Sequence, residues 1–200
     1  MICRALLIAA TLSLAACSTA RESEPGRTAT EQLLFSVAAE RAVDQLALNI
    51  PADVKVFVDP AYVEGTDSKY LLSTIRNRVL QRGAALVDGK GDAEIVLEPR
   101  IGAISIDRGK TLVGTPGFDF PVPLAGDLGF PQLALFKSDT QQGVIKVAAT
   151  SYDSKTGKLI QDMDPVYGFS HKTERVVLFV FSWSVNDLMP QPAKETWVGD

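Results

Sequence analysis

The chain has 200 residues, of which 46% are hydrophobic and 22% are charged, and its formal net charge is −4. This length and composition are typical of a single globular domain. Acidic and basic residues are interspersed along the whole chain. A nucleic-acid-binding surface is therefore not expected, because phosphate contacts need clustered Lys and Arg side chains. The same distribution gives no basis for electrostatic attraction to an anionic lipid surface.

The N-terminal segment has the pattern of a bacterial lipoprotein signal. Arg4 precedes an apolar stretch from Ala5 to Leu14, and Ala15 and Ala16 stand directly before Cys17. The apolar stretch is about a dozen residues long, whereas a membrane-spanning helix needs about 20. A plain secretory signal shares the basic start, the short apolar core and the small residues. The cysteine that follows Leu-Ala-Ala favours lipidation at Cys17.

The predicted organisation follows from this signal. It comprises a signal peptide (1–16), a lipidated N-terminus with a flexible polar tether (17–29), a single domain (30–189) and a C-terminal tail (190–200). Stable anchoring needs two or more acyl chains, and resemblance to bacterial lipoproteins implies such chains, palmitate among them. By resemblance to enterobacterial sorting rules, Ser18 implies an outer-membrane location, and we expect the protein to face the periplasm.

The predicted mature chain has few residues of the types used for catalysis, metal ligation or disulfide formation. Cys3 leaves with the signal and Cys17 is acylated, so no thiol remains for a disulfide, a metal site or a nucleophile. The one histidine, His171, lies among polar residues and is interpreted as a surface side chain. Gly109-Lys110-Thr111 lacks the earlier glycine of a phosphate-binding loop, because Ile104 occupies that position. We therefore expect no enzyme activity, no metal, no cofactor and no nucleotide.

Helices and strands are predicted in alternation along the first half of the domain. Apolar residues at three- and four-residue steps predict a helix from Thr30 to about Leu48, with Thr30 as N-cap. A strand is expected over 53–59, and a second helix begins at Asp67 or Ser68 and ends before Gly83. Short strands follow over 84–87 and 93–107.

A different composition marks residues 114–142. The segment contains four prolines, which exclude a long helix, but it is too apolar for a solvated loop. Residues 114–136 within it are the insertion on which a partner contact is predicted, through four aromatic side chains: Phe118, Phe120, Phe130 and Phe136. The insertion caps an open face of the sheet, or it is an exposed apolar patch that contacts a protein or a membrane. The sequence leaves both alternatives open.

The last part of the chain completes the predicted fold class. Residues 143–152 and 158–163 predict a hairpin around Asp153 to Gly157, and the apolar run 176–185 predicts one buried strand. The predicted class is α+β, with two helices packed on a mostly antiparallel sheet and a Pro/Phe-rich insertion between strands.

Three sequence features support a resemblance. Thr30-Glu31-Gln32-Leu33-Leu34 after the signal, Pro131 to Lys137 with Ala-Leu-Phe-Lys at its end, and Tyr152 to Gly157 together resemble an uncharacterised family of bacterial outer-membrane lipoproteins. A looser, fold-level similarity connects Arg82-Gly83, Asp92 to Ile95 and Asp153 to Gly157 with the curli-secretion-channel lipoprotein and the TolB N-terminal domain. Such similarity implies a fold and no activity.

Two functions remain open at this point. The first is a membrane-anchored lipoprotein that acts as a non-enzymatic binding or assembly module of the cell envelope, with an envelope protein or a second copy as partner. The second is an oligomeric secretion or pore component that resembles the curli channel lipoprotein, with membrane-crossing strands in a ring. Transmembrane strands need roughly 9–11 residues of alternating character, which the proline-rich residues 114–142 supply poorly.

Overall fold

The structure is a computed structural model that describes residues 27–65, 67–122, 126–130 and 132–189. Within these ranges, the side chains of residues 120–122, 126–128 and 130 lie outside the description. The predicted signal peptide, Cys17, most of the tether and the tail 190–200 fall outside the described residues.

The described chain forms two helices and a curled six-stranded sheet with a separate two-stranded sheet. In chain order the elements are α1 (Ala29–Gln45), β1 (Lys55–Val58), α2 (Ser68–Gln81), β2 (Ala85–Leu86), β3 (Ile95–Thr115), β4 (Phe118–Val122), β5 (Gly126–Phe130), β6 (Leu133–Asp153), β7 (Leu159–Val177) and β8 (Phe181–Asn186). The large sheet has the order β2-β1-β3-β6-β7-β8, and β4 pairs with β5. The predicted α+β class with two helices on a sheet is confirmed.

The large sheet is mixed. Strand β1 runs parallel to both β2 and β3, whereas the ladders β3–β6, β6–β7 and β7–β8 are antiparallel. The parallel ladders are short because β1 and β2 each end after a few residues. The antiparallel ladders contain most of the paired residues, so the sheet is mostly antiparallel, as predicted, with β1 and β2 as its parallel part.

Helix α1 begins two residues earlier than the sequence analysis predicts. Thr28 is the N-cap, and its hydroxyl accepts a hydrogen bond from the Glu31 amide while the Glu31 carboxylate accepts one from the Thr28 amide at 2.8 Å. This reciprocal capping box satisfies two amides that a helix start leaves unpaired. The prediction of Thr30 as N-cap is wrong, because Thr28 has the glutamate three residues later that the motif needs.

Helix α2 follows its predicted bounds. It buries Leu71, Ile75 and Val79, and Gly83 after its C-terminus has a φ of +84°. This left-handed conformation favours glycine, as predicted. Neither helix in the described part of the chain combines the length and apolar character that a membrane-spanning helix needs.

The predicted hairpin between β6 and β7 is present. Asp153 begins its turn, and the Asp153 carboxylate accepts hydrogen bonds from the Lys155 and Thr156 amides and from the Thr156 hydroxyl. These bonds to the charged form hold the pKa of Asp153 below its usual value, the Thr156 amide contributing most.

The prediction of one buried strand over 176–185 is wrong. Strand β7 ends at Val177, the chain turns through Leu178 to Val180, and β8 returns along β7 as an exposed edge strand. The run of apolar residues is continuous because an apolar turn joins two strands, and no Gly, Asn or Asp marks the turn.

The core lies between the two helices and one face of the large sheet. Helix α1 approaches the backbone of β6 and β7 at two glycines. A Cβ atom at Gly168 would lie 1.8 Å from the Ala38 carbonyl oxygen, and one at Gly143 would lie 2.6 Å from the Leu34 carbonyl oxygen. No other residue type fits at these contacts, so the glycines set the distance between α1 and the sheet.

We expect Gly168→Ala to destabilise the protein by about 1–3 kcal/mol, because the added methyl group forces α1 away from a well-packed sheet. Urea unfolding monitored by circular dichroism measures the change. Gly91→Ala is the matched control, since a Cβ atom there has no neighbour within 4 Å. Equal unfolding free energies for the two variants would contradict the close contact between helix and sheet.

Candidate functional site

Four strands of the large sheet extend beyond the part that α1 covers. Helix α1 has 17 residues and is therefore about 26 Å long at ~1.5 Å per residue. Strands β3 and β6 have 21 residues each, or about 70 Å at ~3.3 Å per residue. We call the uncovered part, residues 107–115, 133–142 and 171–186, the arm. It is an antiparallel extension of β3, β6, β7 and β8.

The two faces of the arm differ in chemistry. Along each strand, successive side chains point to opposite faces of the sheet. On the face that continues the α1-facing surface, many of the side chains are charged. This face contains Arg108, Lys110, Lys137, Asp139, Lys172 and Glu174. Arg108 forms an ion pair with the buried Glu31 at the start of α1. Lys172 Nζ lies 2.7 Å from Glu174 Oε1, and Lys110 Nζ lies 3.8 Å from Asp139 Oδ2.

The opposite face of the arm is mainly apolar or hydroxyl-bearing. Its apolar members are Val113, Phe136, Val177, Phe181, Trp183 and Val185. Thr140 and Thr173 stand opposite each other on this face, with hydroxyl oxygens 3.3 Å apart. This face also contains two charged residues within the described arm: Asp107 at its base, level with Gln142, and Arg175, which pairs in register with Trp183. The face therefore becomes more apolar toward the end of the arm.

The turn between β7 and β8 is the most exposed apolar segment of the described chain. Leu178, Phe179, Val180 and Phe181 are 54%, 52%, 75% and 64% exposed. Leu178 and Phe179 have φ values of +49° and +67°, which are genuine outliers for bulky side chains. Their amides donate to the carbonyl groups of Leu135 and Ala134, so the strained backbone is held against β6.

Polar contacts fix the base of the arm to α1. The Arg41 guanidinium lies 2.5 Å from the Asp187 carboxylate and also donates to the Phe169 carbonyl. The Asp187 carboxylate accepts a hydrogen bond from the His171 amide at 2.8 Å, and His171 Nδ1 lies 3.0 Å away. In addition, the buried Ser170 hydroxyl donates to the Leu34 carbonyl. These contacts join α1 to β7 and to the end of β8.

The pKa of Asp187 is lowered by these contacts. Partial burial opposes ionisation of the carboxyl group, but the His171 amide and the Arg41 guanidinium favour the charged form and outweigh it. The Asp187 carboxylate is therefore ionised throughout the neutral range. It holds the end of β8 against Arg41 under those conditions.

Those predicted site residues that the structure describes lie near the end of the arm. Phe136 is half-buried on the apolar face, opposite Val113 and Val177. Phe118 begins β4 and is half-exposed, and it pairs in register with Phe130. The backbone of Phe120 is paired with Leu128, but the side chains of Phe120 and Phe130 lie outside the description. Cys17 lies outside the described residues.

Sequence reasoning missed the β7–β8 turn as a surface feature. A usable signal lies in Phe181 to Val185, where serines alternate with Phe, Trp and Val and indicate a one-sided strand. The preceding apolar run concealed the turn, because turns are normally recognised by Gly, Pro, Asn, Asp or Ser.

A polar groove lies between the two helices, away from the arm. It has a volume of about 360 Å³, and Tyr70, Glu40 and Arg78 contribute to its lining. The Tyr70 hydroxyl donates to Glu40 at 2.5 Å, and this bond raises the pKa of Tyr70. Arg78 pairs with Asp44 at 3.6 Å. Within the described ranges, no three His, Cys, Asp or Glu side chains converge as metal ligands.

We expect Asp187→Asn to lower the unfolding free energy by about 1 kcal/mol at pH 7, since it removes a partly exposed ion pair with Arg41. The folded-state pKa of Asp187 lies below the unfolded value of ~3.9, so this stabilisation is present above about pH 4 and is lost as the pH falls through the folded pKa. Urea unfolding at pH 7 and pH 3 measures the difference. Asp164→Asn, at an exposed carboxylate, is the control. A difference between Asp187→Asn and the parent protein that persists unchanged at pH 3 would contradict the assignment.

Comparison with curated proteins gives no match to this chain. One protein-family model does match, over residues 11–179, and its range includes both helices, the predicted lipidation segment and the arm as far as Phe179. On the strength of that match, the chain belongs to DUF6655, a family of unknown function.

Proposed function

We propose that the protein is a lipid-anchored, non-enzymatic binding module of the bacterial cell envelope. Cys17 bears the lipid, the residues between Cys17 and the Thr28 cap of α1 form the tether, and the apolar end of the arm makes the contact. The outer membrane, on its periplasmic side, is the proposed location, as the residue after Cys17 implies. A single α+β domain, which starts at the Thr28 cap of α1 rather than at residue 30, forms the body that presents the arm.

The observation that carries this proposal is the exposed apolar end of the arm. Soluble proteins bury most large apolar side chains, and contiguous exposed ones mark contact surfaces. Here Phe118 and the turn residues Leu178 to Phe181 are more than half exposed. The turn joins two strands that project beyond the helix-covered core, and Phe118 begins β4 shortly after the end of β3. The insertion over 114–136 contributes β4 and β5 to the same end, and we include its Pro/Phe-rich residues in the proposed contact surface.

The proposed anchor rests on the Leu14 to Cys17 pattern. The family match begins at residue 11 and therefore includes this pattern. Helix α1 starts at Ala29, so a short polar tether separates Cys17 from the folded body. The arrangement keeps the body within reach of the membrane without a spanning helix.

Replacing Cys17 with Ser tests the anchor. We expect Cys17→Ser to abolish labelling with radioactive palmitate and to block release of residues 1–16, because the thiol is the acceptor of the lipid. Cys3→Ser is the matched control and retains labelling, since Cys3 leaves with the signal peptide. Palmitate labelling of Cys17→Ser at the level of the parent protein would refute lipidation at Cys17.

A second candidate is an oligomeric secretion component, and the two unlike faces of the arm favour it. Strands that cross a membrane in a ring need roughly 9–11 residues with one apolar and one polar face. In the arm, β3 (107–115) and β6 (133–142) reach such lengths only together with residues of the insertion 114–136, and β8 has only 6 residues. The short β8 places this candidate second.

The mass of the detergent-extracted lipidated protein distinguishes the two candidates. We expect light scattering to give a monomer within the detergent micelle, as a tethered binding module requires. A large and uniform ring in the lipidated form would instead establish the secretion component. The unlipidated form starting at Ser18 is the control, since ring formation that depends on lipid indicates assembly in the membrane.

A further inference from the structure

We propose that the occupant of the apolar end of the arm is the lipid bilayer to which Cys17 is anchored. In this arrangement the β7–β8 turn enters the outermost acyl region of the membrane, and the arm stands between the bilayer and the helix-covered body. This inference rests on the lipid anchoring proposed above and names the partner of the same surface.

The composition of the turn points to an apolar environment. Turns that face water use Gly, Asn, Asp, Pro or Ser, because these residues adopt turn conformations easily or hydrogen-bond their own backbone. Here Leu178 and Phe179 occupy left-handed conformations that cost bulky residues free energy. The turn keeps apolar side chains where Gly or Asn would relieve strain. Entry of those side chains into hydrocarbon offsets that cost.

The order of residues along the arm matches the layers of one membrane leaflet. The distance along the chain from Val180, the last residue of the turn, to Trp183 in β8 is about 10 Å at ~3.3 Å per residue. Interfacial protein elements bury their apolar faces by about 5–10 Å. Trp183 then lies at headgroup level, where tryptophan is enriched, with Arg175 beside it in register. The charged residues Lys172 and Glu174 follow farther from the end. Lys137 pairs with Val176, one position closer to the end than Trp183, and its flexible side chain can carry the ammonium group to the headgroup level.

The position of the tether allows the end of the arm to contact the same membrane that holds the lipid on Cys17. Helix α1 points its N-terminus toward the arm, since Gln45 contacts the Tyr167 carbonyl while Glu31 pairs with Arg108. Arg108 is level with Lys172, so the turn lies about 25 Å farther along β7. The stretch 17–26 can span at most about 35 Å. A lipid on Cys17 and the end of the arm can therefore reach one bilayer plane together.

A second copy of the chain fits this surface less well. Stable protein interfaces bury about 1,200–2,000 Å² in total, with about 20–30 residues on each side. The apolar end is a tip formed by the β7–β8 turn, the ends of the four arm strands and the β4–β5 hairpin that joins β3 to β6. A bilayer accepts such a tip without a complementary surface, whereas a protein partner requires a matching pocket.

The two tryptophans of the chain, Trp183 and Trp197, allow a direct test. In a Trp197→Phe background, Trp183 is the only indole and reports the environment of the arm. The detergent-extracted protein is reconstituted into vesicles of phosphatidylethanolamine and phosphatidylglycerol, with and without brominated acyl chains. We expect a blue shift of Trp183 emission and an about twofold or greater loss of intensity with brominated lipid, because the indole lies at the acyl boundary.

Matched variants separate insertion from folding defects. Val180 is 75% exposed, so Val180→Asp leaves the fold intact and is expected to abolish the quenching by brominated lipid. Leu159 is 63% exposed at the opposite end of β7, and Leu159→Asp is expected to leave the quenching unchanged. Circular dichroism of both variants checks the fold.

Flotation and mass spectrometry distinguish failure of this inference from failure of the lipid anchor. Unquenched Trp183 in protein that floats with the vesicles and carries lipid would overturn insertion and leave the anchor in place. Quenched Trp183 in protein without lipid would support insertion and refute the anchor. A blue-shifted but unquenched Trp183 together with a dimer mass would overturn the inference in favour of a second copy.

Discussion

The close contact between α1 and the sheet is the constraint on which the rest of the structure depends. At Gly168 and Gly143 the helix backbone lies directly against the strands, and Ala38 at the contact is small enough to permit it. The contact fixes where α1 lies along β6 and β7. Because the capping box starts the helix at Ala29, coverage of the sheet stops near Gly143 while the strands continue. The arm is the consequence of this difference in length.

The end of the arm exposes apolar side chains at a cost in local stability. Two left-handed bulky residues cost about 1–3 kcal/mol each, and the exposed side chains gain nothing from the core. Backbone hydrogen bonds from Leu178 and Phe179 to β6 keep the strained turn in place. At the base, Arg41 and Asp187 hold β8 to α1. A projecting hairpin supported at both ends is suited to presenting a fixed surface.

The sequence predicted local elements better than it predicted how far they extend. Helix α2, the hairpin at Asp153 and the left-handed Gly83 were recognisable because each has a short-range signal in the chain. The arm was not, since β3 continues through Asp107 to Lys110, where charges and a glycine resemble a strand end. Those residues pair with β6 instead, and only the three-dimensional register shows it.

The contact residues chosen from the sequence overlap the proposed contact surface only in part. Phe118 and Phe136 were selected from the Pro/Phe-rich insertion; Phe136 lies at the end of the arm, and Phe118 begins β4 three residues after β3 ends. The larger part of the exposed surface, Leu178 to Trp183, was interpreted as buried. Burial depends on what packs over a strand, and no helix lies over this part of the sheet. An apolar run by itself cannot distinguish a core strand from a projecting one.

The proposed lipid anchor lowers the affinity for the membrane that the apolar end must supply by itself. A free protein that enters a bilayer through one turn must overcome the loss of translational and rotational freedom. A tether of about ten residues removes most of that cost, because it holds the arm at an effective concentration in the millimolar range. A dissociation constant near 1 mM corresponds to only about −4 kcal/mol. Full burial of one Leu or Phe side chain supplies about 1.5–3 kcal/mol, so partial burial of Leu178, Phe179 and Phe181 is sufficient. In the proposed arrangement, the anchor and the arm together fix an orientation that neither attachment would fix alone, and the groove between α1 and α2 is held away from the membrane.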